Sequence, residues 1–368
     1  MRIDRISLNG FRNYEWETAE FAPGTNVITG QNAQGKTNLL EAVYMLSTGR
    51  SFRTRFDREL VGFDYTEAEI LADIHSRERD QTVSIRLRPG QTKRILVNGV
   101  KRTAGELSAQ INAVLFCPDD LNLIKEGAAV RRRMMDNAIS QIRPRYAEIL
   151  SEFNRLYEHK TRILKDWREK PSLLDTLDEF SDGMARASSH LIRYRAAFAA
   201  RLNEAAPPIH REFSGEGEEL AIRYSTVSTV RDPFAAAREI YYDICDHQEK
   251  HRQAELESGQ CLTGAHKDDL EIDINGRPAR SFASQGQTRT AALSLKLAER
   301  EIFLAETGEY PILLLDDVLS ELDTRRQEFV LNHIGGGQTL ITCCEDDEIS
   351  SRTGGKVIFV EKGKIRAN

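Results

Sequence analysis

The sequence predicts an α/β fold, a P-loop nucleotide-binding core interrupted by a mostly helical insert. Three observations predict it. Residues 30–37, GQNAQGKT, fit the P-loop pattern G-x-x-x-x-G-K-[ST] and lie between a short apolar run and a helical one. Residues 311–317, PILLLDD, have the form of a buried parallel strand ending in two acids. Between these two segments, residues 131–260 show helical periodicity and few glycines.

The elements follow in order. The opening MRIDRISLNGF alternates and carries charge, so it reads as a first strand rather than a signal peptide. Residues 25–29 form a second short strand, and residues 38–46, NLLEAVYML, form a helix after the loop. A glycine-rich turn between strand and helix aims backbone N–H groups and a helix N-terminus at one point, which attracts phosphate. On this pattern Gly30, Asn32, Ala33, Gln34, Gly35 and Asn38 surround the phosphates. Lys36 reaches the β- and γ-phosphates, and the Thr37 hydroxyl holds Mg²⁺. Alternation at 70–74, 82–87 and 94–97 predicts strands, with a hairpin turn at Asn98-Gly99. A helix and a strand follow across 106–115. Within the insert, 147–167 and 173–202 are helical, Pro207-Pro208 breaks the run, 220–224 is strand-like and 235–256 is helical again. Strands return at 270–274 before an Asn275-Gly276 turn, then a helix at 287–307 and strands at 312–315, 339–342 and 357–360. The expected organisation is a first lobe of residues 1–130 and 261–368 and a second, helical lobe of residues 131–260.

Composition narrows the class. The 368 residues carry a net charge of −6, distributed unevenly. Through residue 140 there are 20 Lys and Arg against 18 Asp and Glu; beyond it there are 31 against 39. The first part holds arginine clusters, Arg50, Arg53 and Arg55 in one and Arg131, Arg132 and Arg133 in another, which are candidates for a phosphate backbone despite the acidic total. No run of about eighteen apolar residues exists, so no membrane span is expected. Five cysteines without a C-x-x-C pair fit reduced thiols in the cytoplasm; Cys343 and Cys344 read as buried thiols at a strand end.

The C-terminal third supplies the other half of a nucleotide site. Asp316 is placed to hold Mg²⁺ or its water, and Asp317, one residue on, to polarise the attacking water. Upstream, Ser284-Gln285-Gly286-Gln287 opens a helix, and Ser320-Glu321-Leu322-Asp323 follows the acids. In that order the segments resemble ABC-type ATPases. The resemblance implies that Ser284 and Gly286 cap the γ-phosphate held by a second copy of the chain, a helix end acting in trans. About 250 residues separate Lys36 from Ser284, too few for the long arm of an SMC protein at about 1.5 Å of helix per residue. An SMC-like head, a nuclease-associated ABC-type ATPase, a transport ATPase subunit and a module with a vestigial ATP site are the competing readings.

Over nearly its whole length the chain resembles the RecF family. The strings are FRNY at 11–14, GQNAQGKTNLLEA from Gly30, GRSFR at 49–53, PDDL at 118–121, and Arg131-Arg132-Arg133 with Asp136. They continue with TGAHKDDL at 263–270, SQGQTRT, LLLDDVLSELD and EKGKI at 361–365. Ala265, Ala129, Met134-Met135 and Cys117 depart from the family pattern without removing a phosphate or metal ligand. The resemblance implies an ABC-type head without a long coiled coil. It implies an ATP-dependent homodimer, binding Mg²⁺ with the nucleotide, that clamps double-stranded DNA near single-strand/double-strand junctions. It also implies partnership with RecR and RecO in loading RecA, slow DNA-stimulated hydrolysis, and an approach of Arg12 to the nucleotide. Asp317 is one methylene shorter than the Glu common in ABC ATPases, which agrees with slow turnover. His266 in GAHKDD is left with either a structural or a signalling role.

Overall fold

A computed structural model describes every residue except Glu78, Ala109, Glu216, 345–351 and Asn368. The chain divides into two compact units, Met1–Asn122 with Ala292–Asn368, and Leu123–Ala291. The second unit is larger than the expected insert at 131–260: it also takes in a small sheet and the first turns of the following helix.

The first unit begins with β1 (Arg2–Phe11), β2 (Tyr14–Glu20), β3 (Thr25–Thr29), α1 (Lys36–Thr48), β4 (Ala68–His75), β5 (Asp80–Leu87), β6 (Arg94–Val97), β7 (Val100–Arg102), α2 (Ala104–Ser108) and β8 (Ala113–Phe116). The second unit contains α3 (Ala128–Ile142), α4 (Pro144–Asp166), α5 (Leu177–Ser214), β9 (Leu220–Ser225), α6 (Ala237–Ser258), β10 (Asp269–Ile274), β11 (Arg277–Pro278) and α7 (Ala279–Phe282). The chain then runs through α8 (Gln285–Thr307), β12 (Ile312–Asp316), α9 (Thr324–His333), β13 (Thr339–Cys343), β14 (Lys356–Glu361) and β15 (Lys364–Ala367).

Two six-stranded sheets build the first unit. One is antiparallel, in the order β2-β1-β4-β5-β6-β7. The other, β15-β14-β3-β13-β12-β8, is parallel except for β15. Helix α1 is apolar on nearly every side, as a helix enclosed by protein must be. Its Leu39, Leu40, Val43, Met45 and Leu46 share one core with Ile6 and Leu8 of β1, Ile70 of β4, Ile85 of β5, Leu314 of β12 and Leu340 of β13. Each such side chain contributes about 1.5–3 kcal/mol on burial, so the helix that carries the P-loop is firmly held. The predicted turns at Asn98-Gly99 and Asn275-Gly276 have positive φ at both residues and join directly paired strands, as two-residue I′ hairpins require. Lys362-Gly363 makes a third such turn, between β14 and β15.

In the second unit α5 runs through Pro207 and Pro208 to Ser214, where the sequence predicted a break. The prolines remove two N–H donors, a cost of about 3 kcal/mol or more at an interior site. The buried stripe Leu202, Ala206, His210 and Phe213 continues across them, and α5 packs on α4, α6 and β9. Tertiary packing therefore outweighs the local penalty. At 38 residues α5 is about 57 Å long.

Candidate nucleotide-binding site

Parallel order brings the site together. β3 lies beside β13, and β13 beside β12, so their C-terminal ends present the P-loop, Thr342 and Asp316 side by side. The loop leaves β3 at Gly30 (φ 147°), where an added Cβ would stand 2.1 Å from the Val360 carbonyl oxygen, so glycine is obligatory. Ala33 (φ 63°) and Gly35 (φ 122°) complete the turn into α1, and no side chain caps that helix. Its first N–H groups point at the loop's centre, the arrangement that binds phosphate.

Lys36 lies folded over the loop. Its Nζ donates to the carbonyls of Gly30 at 2.5 Å and Gln31 at 3.0 Å. Cys344 stands beside it, its Sγ 3.6 Å from Nζ and 2.9 Å from Asn32 Oδ1. The sequence placed both strand-end thiols in the interior; Cys343 is buried, but Cys344 is exposed at this loop because the strand has ended. Asp316 is buried, and its Oδ1 accepts from the Thr37 hydroxyl at 2.9 Å and the Thr342 hydroxyl at 3.0 Å. Burial pushes the Asp316 carboxyl above its ordinary range while those two hydroxyls pull it down. A hydroxyl and a carboxylate are the hard oxygen donors that Mg²⁺ takes, and this pair fits the ion. Asp317 follows in the left-handed region (φ 52°), its N–H donating to Thr342 Oγ1 at 2.8 Å.

A ring of contacts holds the loop from outside. Asn13 Nδ2 donates to the Gln34 carbonyl at 2.8 Å, the Tyr14 hydroxyl to the Gly35 carbonyl at 2.9 Å, and Asn38 Nδ2 to Asn13 Oδ1 at 2.8 Å. From the β14–β15 turn, Gly363 N–H reaches the Gln34 carbonyl at 3.0 Å and Lys362 N–H reaches Gln34 Oε1 at 2.6 Å. Nothing in FRNY or EKGKI marked this role in the sequence. Arg12 was expected near the nucleotide. Its guanidinium forks onto buried Glu41, at 2.9 and 2.7 Å, and its third nitrogen bonds the Glu59 carbonyl. Glu41 looked like an ordinary helix residue; Arg12, with Arg53 and Ser51 beside it, explains an acid buried in α1.

The arginine clusters separate. Arg50, Arg53, Arg55 and Arg133 are exposed. Arg53 bonds Asn38 Oδ1 at 2.7 Å and lies 3.6 Å from Glu41, which places it at the start of α1. Arg131 cannot serve a DNA backbone: it is buried, forked onto Asp269 and bonded to the carbonyls of Leu123, Ile124 and Glu126. Arg132 is half-buried and donates to the Asp268 carbonyl at 2.6 Å. Successive residues on a helix point about 100° apart, so three adjacent arginines face three environments.

Ser284 and Gly286 lie in the second unit at the start of α8. Ser284 Oγ accepts from the Gln287 N–H at 3.2 Å, and Gln287 Oε1 accepts from the Ser284 N–H at 2.8 Å, a reciprocal capping box. Lys125 steadies the approach through the Ala283 carbonyl at 2.7 Å.

His266 packs 4.6 Å from the Tyr157 ring and bonds the Cys261 carbonyl through Nε2 at 3.1 Å. Burial lowers its pKa from 6.5 to about 4. The native ring is neutral, whereas the unfolded chain takes up a proton near 6.5, so this stabilisation is complete above that pH and is lost as pH falls towards 4. Denaturant melts at pH 7 and pH 5 should show a loss about 2 kcal/mol larger in the wild-type chain than in His266→Phe. Equal losses in the two proteins would refute this assignment.

The same architecture recurs in known proteins. A family described as the RecF/RecN/SMC N terminal domain matches residues 2–364. The DNA replication and repair protein RecF of Acetivibrio thermocellus is 40% identical over 361 residues, covering 98% of each chain. Its counterpart in Alkaliphilus oremlandii is 37% identical, covering 99% of this chain and 100% of its own. A solved structure of the recombination mediator protein RecF-ATP in the RecFOR pathway superposes with a TM-score of 0.91 at 34% identity, over 100% of this chain and 97% of that one. The Smc head domain of Pyrococcus furiosus, at 16% identity and a TM-score of 0.57 over 100% of this chain and 95% of that one, shares the fold alone. The fold is that of an ABC-type ATPase head with a second, mostly helical unit. With matches of this identity running from end to end around an intact P-loop and its paired acids, the chain belongs to the RecF family of DNA replication and repair proteins.

Proposed function

We propose that this chain is an ATP-driven DNA clamp that acts in repair in the cytoplasm. The observation that carries the reading is the Thr37–Asp316 hydrogen bond at 2.9 Å, which joins the P-loop to the acid strand in one site. Lys36 and the first N–H groups of α1 bind the phosphates, Thr37 and Asp316 would hold Mg²⁺, and Asp317 polarises the attacking water. The ion supplies charge neutralisation between the phosphates when bound. Ser284 and Gly286 of a second copy close on the γ-phosphate, so ATP makes the homodimer. The dimer grips double-stranded DNA beside single-strand gaps through exposed arginines such as Arg50, Arg53, Arg55 and Arg133. Hydrolysis is slow, DNA-stimulated, and resets the clamp. RecR and RecO join it in promoting RecA loading. The RecF-ATP structure and the RecFOR pathway named with it support this reading.

Gel filtration with Mg²⁺ and ATP or ADP tests it. The wild-type chain should elute as a dimer with ATP and a monomer with ADP. Ser284→Arg should bind ATP yet weaken dimerisation by about a hundredfold, because a bulky cation replaces the helix cap at the seam. A dimer of unchanged affinity in that variant would end the trans-capping scheme.

A further inference from the structure

We propose that Thr342 is a positioning residue for ATP hydrolysis: its single hydroxyl orients both acids of the site. The inference rests on the ATPase reading above. Thr342 is the penultimate residue of β13 and is buried. Its Oγ1 donates to Asp316 Oδ1 at 3.0 Å and accepts from the Asp317 N–H at 2.8 Å. The first bond, with Thr37 on the same oxygen, fixes the plane of the Asp316 carboxylate. The second holds Asp317 at φ 52°, a backbone region uncommon for residues other than glycine. Ser320 adds a second hold on Asp317 alone, donating to its carbonyl at 2.6 Å and lying 3.3 Å from its Oδ1.

The chemistry needs a group that donates and accepts at once. A hydroxyl does this, serving both neighbours, and branching at Cβ adds a preferred χ1. Valine keeps the shape and loses both bonds. Without them Asp316 can rotate and Asp317 can leave the left-handed region, so the metal-holding and water-polarising carboxylates lose their relative placement. The P-loop is held by its own ring of contacts and keeps its grip on the nucleotide.

Thr342→Val and Thr342→Ser test this, read by steady-state Mg²⁺-ATP hydrolysis, binding of a fluorescent ATP analogue and thermal melts. Valine should lower kcat by about thirtyfold or more with KM within about threefold of wild type, and serine should restore kcat to within about threefold. A valine variant with kcat within about twofold of wild type overturns the proposal. If the valine variant fails to fold, the serine variant decides: hydrolysis reduced as far as about tenfold with nucleotide binding intact overturns it too, because the hydroxyl is still present. A wild-type protein that binds ATP and never hydrolyses it defeats the ATPase reading itself, and the role of Thr342 falls with it.

Discussion

Lys36→Met should lower ATP turnover by about a hundred- to a thousandfold, the scale set by removing a charged donor from a developing phosphate charge. The side chain is already aimed: Nζ sits on the carbonyls of Gly30 and Gln31, inside the loop it must serve. Phosphates entering the loop exchange those two neutral acceptors for anionic ones. Methionine fills similar space without charge, so the loop keeps its shape while its attraction for triphosphate goes. A phosphate-release assay beside equilibrium binding of labelled ATP checks this, and turnover near the wild-type rate would show that the chemistry lies elsewhere.

Arg195→Met should have the largest effect on stability, about 4 kcal/mol, with the melting temperature falling by roughly 10 °C. Arg195 is buried in α5. It forks onto Asp136 of α3 at 2.9 and 3.0 Å, bonds Asp268 at 3.0 Å and the Ala265 carbonyl at 2.6 Å, and accompanies the Tyr146 hydroxyl of α4 at 3.0 Å. Asp268 also holds the hydroxyls of Tyr224 and Thr226. Burial pushes its carboxyl up, and Arg195 is the chief opposing influence. Removing the arginine leaves two acids without their cation in a low-dielectric interior, which costs more than the pair itself contributes. Arg195→Lys should lie between, keeping the charge and losing the fork. Calorimetry on the three proteins decides; a methionine variant that melts within about 3 °C of wild type would mean the network is not structural.

The legible parts of this protein are those whose physics is local. The P-loop string and PILLLDD each specify their own backbone, and Thr37 meets Asp316 because parallel strands leave their C-terminal ends together. The hairpin at Asn98-Gly99 was equally readable, since two residues with positive φ are a matter of composition. What the sequence hid depends on partners far along the chain. Arg131 looks like Arg133 until Asp269 arrives to pair with it. Arg12 pairs with Glu41, and Ser51 and Arg53 assemble around the same acid, a grouping that no local pattern announces. Pro207 and Pro208 forecast a helix end, and only the packed stripe from Leu202 to Phe213 overrides them. The boundary of the second unit at Leu123 rather than 131 has the same origin, for Arg131 ties the carbonyls of residues 123, 124 and 126 to its own side.

The strand that launches the P-loop is flanked by β13 and β14, and the loop's Gln34 is secured by the Lys362-Gly363 turn. During synthesis, β3 therefore leaves the ribosome long before either of its neighbours exists. A nascent chain carries the nucleotide-binding string early but has no finished cradle for it, and contacts this distant in sequence form slowly. Closure of the P-loop's cradle thus waits on strands far downstream in the chain, so a fragment lacking β13 and β14 should leave β3 unpaired on both sides.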